Sequence, residues 1–153
     1  MKPSVERLMR DTYLAVVQNS VGTWMFREFY VRMDGKKVDA MGDGRRSCAF
    51  FVSSILTIFG LIERIHATVD ATVEDLKKSG WRQVKEPKPG DVLVWEKQEI
   101  GGNTNRHIGF YVSGGLAISN SYSHGVPTEH HWTYGGTRMV ETIFRKSFSK
   151  SGA

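Results

Sequence analysis

A chain of 153 residues, 40% hydrophobic and 24% charged, has the size and composition of one domain around one core and excludes a disordered chain. A single cysteine excludes an internal disulfide, and no apolar run reaches the length of a membrane span. The net charge of +5 favours acidic partners, but the basic residues are scattered and lack the basic–aromatic alternation of a nucleic-acid reader.

At the start of the chain, Ser4 is expected to cap a helix with an apolar stripe of Val5, Leu8, Met9, Thr12, Tyr13, Val16 and Val17. Glu6, Arg7, Arg10 and Asp11 interrupt this stretch, so it is no secretory signal. As written, the chain is expected to stay cytoplasmic unless lysis or a dedicated secretion system brings it to a cell wall. Residues 24–31 are aromatic-rich and fit either a short helix or an extended segment, and Asp34-Gly35-Lys36-Lys37 is a turn. Met41-Gly42-Asp43-Gly44 forms a flexible approach to the apolar run of residues 48–59, which ends at Gly60. That run predicts a buried helix capped by Ser47.

Thr72-Val73-Glu74-Asp75 approximates a capping box and opens a short helix stopping at Gly80. Beyond it the pattern changes to strands. Residues 81–84 lead to the turn Pro87-Lys88-Pro89-Gly90, then to an apolar strand at 91–96 and a polar loop at 98–106. Residues 107–112 and 116–122 predict a hairpin around Ser113-Gly114-Gly115, with further strands at 126–134 and 138–145. Helices followed by an antiparallel meander predict an α+β domain spanning 1–153.

Cys48 opens its helix beside Arg45 and Arg46, and both the helix's positive end and the guanidinium groups favour the thiolate. His107 heads a strand far downstream, so the two suit a nucleophile and its base. The competing reading of Cys48 is a small buried hydrophobe. His124, His130 and His131 lack the spacing of a zinc site, and neighbours 130 and 131 would face opposite sides of a strand, so neither metal nor cofactor is expected. Trp24, Trp81, Trp95 and Trp132 are core residues by default, with Trp132 a candidate for lining a substrate groove.

Four segments together resemble the NlpC/P60 and CHAP families of papain-like cysteine peptidases and amidases. They are Ser47-Cys48-Ala49-Phe50-Phe51-Val52, Pro89-Gly90-Asp91-Val92-Leu93-Val94-Trp95, His107-Ile108-Gly109-Phe110-Tyr111-Val112 and Gly115-Leu116-Ala117-Ile118-Ser119-Asn120-Ser121. The resemblance implies N-terminal helices, a nucleophile helix packed on an antiparallel sheet, and amide hydrolysis in bacterial cell-wall peptidoglycan peptides. It implies Cys48 as nucleophile and His107 as base. The register of the third polar residue falls on Ser119, while an Asn carbonyl at Asn120 is the stronger hydrogen-bond acceptor; both stay open. Arg45 and Arg46 are expected to flank the cleft and bind substrate carboxylates.

The family's Asp before the nucleophile is Ser47 in this chain. That departure, with the open third residue, supports one alternative, an inactive peptide- or glycan-binding module on the same fold; the lack of a secretory signal pattern keeps open another, a cysteine hydrolase or acyltransferase with an intracellular substrate. The expected partner is peptidoglycan or a peptide, with no nucleic acid and no membrane, and the expected state is a monomer.

Overall fold

Side-chain alternation along two central strands divides the core into two layers, and the computed structural model, which describes residues 1–148, follows that division. In chain order the elements are α1 (Met9–Asn19), β1 (Tyr30–Met33), β2 (Lys36–Asp39), α2 (Cys48–Ile58), α3 (Val69–Lys78), β3 (Arg82–Val84) and β4 (Val92–Ile100). They continue with β5 (Asn103–Ser113), β6 (Leu116–Asn120), β7 (Pro127–His131) and β8 (Val140–Arg145). The main sheet has six strands in the order β3-β8-β4-β5-β6-β7, paired antiparallel throughout, and β1 and β2 form a separate hairpin. The architecture is α+β.

Val92 and Val94 of β4, Ile108, Phe110 and Val112 of β5 and Ile118 of β6 belong to the core shared with the helices. The alternate residues Leu93, Trp95 and Ala117 pack on the other face with Ile143, Tyr111, Trp132 and Tyr134. Helix α2 supplies Ala49, Phe51, Val52, Ile55 and Leu56, all almost fully buried. Each of the larger side chains contributes about 2 kcal/mol by leaving water, which anchors the helix against β5 and β6. The Pro89-Gly90 turn is fastened to α1, where Tyr13 Oη donates to the Gly90 carbonyl at 2.8 Å and Arg10 Nη2 to the Pro89 carbonyl at 2.8 Å. Asp91 is buried beside that turn and accepts from Arg145 Nε at 2.9 Å and Nη2 at 2.6 Å.

Local chemistry explains where the elements depart from expectation. Helix α1 starts at Met9 rather than after Ser4, and Val5 and Leu8 stay exposed; Tyr13 and Val17 are fully buried, with Leu14 and Val16 packed against the core. Helix α3 begins one turn before the expected box, since Thr68 caps it by accepting from the Ala71 N–H at 3.2 Å. Asp75, freed from capping, instead accepts from the Glu63 and Arg64 N–H groups and contacts His66. The polar stretch 98–106 is the tip of the β4–β5 hairpin rather than a loop, because Gly101 and Gly102 both take positive φ and close a two-residue turn. Among the described residues no helix is long and apolar enough to cross a membrane.

Candidate active site

Cys48, His107, Ser119, Asn120, Arg45 and Arg46 all line one cleft of about 770 Å³. Cys48 reaches it because α2 begins there. Ser47 stands at the cap position but has φ −90° and ψ 12°, which keeps its hydroxyl off the helix amides, and Ser47 Oγ is buried without a partner. The sulfur instead lies against N–H groups of Ala49 and Ile108, the second belonging to the residue after His107. The start of α2 and the beginning of the apolar part of β5 thus meet at the sulfur.

His107, Gly109 and Tyr111 share the face of β5 that carries Trp95, and His107 packs on the Trp95 ring at 5.2 Å. Gly109 pairs with Ser119 across the β5–β6 ladder, which puts Ser119 diagonal to His107. Ser119 Oγ lies 2.9 Å from His107 Nε2. Asn120 points to the opposite face, where its Nδ2 donates to the Gly44 carbonyl at 2.6 Å. Of the two candidates for the third residue, the geometry therefore sets Ser119 on the ring. Asn120 has a different task, tying the loop before Cys48 to the strand that holds Ser119.

Burial rather than the helix end dominates the ionisation of both Cys48 and His107. It pushes the Cys48 thiol up, offset in part by the Ile108 and Ala49 amides and by the charge of Arg138. It also pushes His107 down to about 3, helped by Arg138 and His130. The resting pair is therefore a thiol and a neutral imidazole, contrary to the expectation that Arg45 and Arg46 hold a thiolate. Arg45 and Arg46 line the cleft farther along the loop, with the Arg46 guanidinium packed beside Gly42.

Arg138 is a cleft residue that no sequence pattern singles out. It is 6% exposed, and its Nε and Nη2 donate to the Glu96 carbonyl while Nη2 also reaches the Asn105 carbonyl at 3.0 Å. Burial pulls its own pKa below the ordinary range, and among the described residues it has no carboxylate in salt-bridge contact. Nothing in its local sequence marks it; tertiary burial alone places this charge beside the thiol.

Trp132 does not line the cleft. It packs edge-on against Tyr111 at 6.0 Å, and its carbonyl accepts from Trp95 Nε1 at 2.7 Å, which makes it part of the second core layer. His130 does line the cleft and contacts Ser119, whereas His131 is turned outward. Among the described residues no three His, Cys, Asp or Glu side chains are grouped to hold a metal ion. In comparison with known proteins, no family model and no curated protein matches the chain.

Proposed function

We propose that this chain is a papain-like thiol hydrolase that cleaves an amide bond, with bacterial cell-wall peptidoglycan peptides as its substrate. The observation that carries this reading is the shared cleft of Cys48 and His107, with Nε2 of the ring 2.9 Å from Ser119 Oγ. His107 takes the thiol proton as the sulfur attacks the carbonyl, then passes it to the leaving amine. In this reading the Cys48 N–H, at the start of α2, helps to hold the developing oxyanion. Water then releases the acyl group from the sulfur.

The cleft lining supports an acidic peptide substrate. Arg45, Arg46, Lys97, Arg106 and Arg138 line it, while Asp70 is its one carboxylate and is already paired with Arg106. Such a lining concentrates ligands bearing carboxylates, as stem peptides do. The test is incubation with purified peptidoglycan and with stem peptides, followed by mass spectrometry of the products. Release of new amine and carboxylate ends that disappears in Cys48→Ala supports the reading; full hydrolysis by Cys48→Ala ends it.

A second reading, a peptide-binding module without turnover, is favoured by one observation: burial raises the thiol and leaves the resting site neutral. Thiol alkylation separates the two. A Cys48 that reacts at neutral pH supports the hydrolase, and one inert until strongly alkaline pH supports the binder.

A further inference from the structure

Ser119 has one hydroxyl proton and two lone pairs, and three polar atoms surround it. His107 Nε2 lies at 2.9 Å, His130 Nε2 at 2.7 Å and Tyr134 Oη at 3.1 Å. The two histidines flank it on adjacent strands: Gly109 is paired with Ser119 on one side, and Ala117 with His130 on the other. Only one of the three atoms can receive the Ser119 proton, and the His130 ring determines which.

His130 Nδ1 lies 2.8 Å from the His131 carbonyl oxygen, and a carbonyl can only accept, so Nδ1 carries a proton. Burial holds His130 below its ordinary value and therefore neutral, which leaves Nε2 with a lone pair. That lone pair accepts from the Ser119 hydroxyl. The two lone pairs of Ser119 are then filled by the His107 Nε2–H and the Tyr134 O–H, and every valence of the serine is used.

We propose that His130 is a positioning residue for the base: by taking the Ser119 proton, it makes Ser119 an acceptor toward His107 and fixes His107 as the Nε2–H tautomer. A serine by itself has no such direction. It could equally donate to His107 Nε2, which would put the ring proton on Nδ1 and remove the base. With His130 in place, Nδ1 keeps its lone pair, and among the described residues nothing hydrogen-bonds to it. Protonation of Nδ1 during turnover leaves the whole chain of hydrogen bonds in its original direction. The ring of His130 is itself held by stacking on Tyr134, with centroids 4.0 Å apart and planes 14° from parallel, and by Trp95 at 5.6 Å.

The catalytic consequence rests on the hydrolase reading; the tautomer does not. NMR of isotope-labelled imidazole nitrogens at neutral pH is expected to find His107 protonated on Nε2 and His130 on Nδ1. His130→Phe keeps an aromatic ring against Tyr134 and Trp95 but removes the acceptor. It is expected to convert His107 to a mixture of tautomers and to lower kcat about tenfold without changing KM. Tyr134→Phe removes only a donor and is expected to leave the tautomer unchanged. His107 protonated on Nδ1 in the wild type, or wholly on Nε2 in His130→Phe, overturns the proposal. Should His130→Phe fail to fold, the wild-type spectrum still decides. Tautomers as expected in a protein that cleaves nothing would end the hydrolase reading and leave this proposal standing.

Discussion

Gly109 and Ser119 face each other across the β5–β6 ladder so closely that a Cβ on Gly109 would sit 2.7 Å from Ser119 Cβ. The same atom would lie 2.8 Å from the Ile118 carbonyl oxygen and 3.0 Å from Trp95 Cζ3. Gly109 has no need of a positive φ; what it supplies is space. The glycine two residues after His107 is what lets the serine hydroxyl approach the ring diagonally.

Gly109→Ala is therefore expected to destabilise the domain by about 2 kcal/mol, because all three obstructing contacts come from a paired strand and a buried ring that cannot swing away. At this chain length that corresponds to a fall in Tm of roughly 5 °C. Ser119→Gly removes one obstruction, so the double variant should recover part of the loss, with a coupling above about 0.5 kcal/mol in a double-mutant cycle. Simple additivity of the two losses would show that the contact is not the cause.

Ser119 and Asn120 are neighbours with separable roles, and their alanine variants should differ in kind. Ser119→Ala frees the His107 ring and is expected to lower kcat about 100-fold with KM nearly unchanged, since a small misplacement of the base carries a cost of that order. Asn120→Ala breaks the bond to the Gly44 carbonyl and loosens the approach to Cys48. It should cost about 1 kcal/mol in urea unfolding. Kinetics and unfolding curves on both variants check this, and a kcat loss confined to Asn120→Ala would reverse the assignment.

The apolar helix at Cys48 and the hairpin after His107 were legible because their signals are local: a continuous apolar run, and alternation broken by Gly114-Gly115. Strand alternation also showed that only one of Ser119 and Asn120 could face His107, but choosing between them needed the sheet's two faces. Thr72 carries the box pattern in sequence, yet the extended backbone at Thr68 starts α3 a turn earlier. The thiolate expectation failed because helix-end and arginine effects are visible in sequence while desolvation is not. Arg138 was illegible as a site residue for the same reason, its neighbours being far away along the chain, and strand alternation, which separates His130 from His131, could not say which of the two faces the cleft.

Arg138 lowers both Cys48 and His107, so removing its charge should raise both. Arg138→Gln is expected to move the midpoint of Cys48 alkylation to higher pH, whereas Arg138→Lys, which keeps the charge, should move it less. Both variants lose part of the fork on the Glu96 and Asn105 carbonyls and should cost about 1–3 kcal/mol of stability. Alkylation profiles that superimpose for wild type and Arg138→Gln would remove the electrostatic role and leave Arg138 as a structural tie.

Acid sensitivity of the fold should begin with the half-buried His107 and His130. An unfolded histidine takes up a proton near its ordinary value of 6.5, while His107 in its pocket resists protonation down to about 3. Between those limits the unfolded state binds more protons, so stability falls as pH falls, by at most about 1.4 kcal/mol per pH unit from this residue. His107 keeps some solvent contact at the cleft, which makes the real slope smaller, and His130 adds a contribution of the same sign. Asp75 is raised by burial but drawn down to about 2 overall by its hydrogen bonds, so its stabilisation is lost only as pH falls from the ordinary 3.8 toward that value. The loss between about pH 6.5 and about pH 4 therefore belongs to the histidines. Urea unfolding across that range should give a shallower pH dependence for His107→Gln than for wild type, and equal slopes would show that His107 is not buried neutral in the native state.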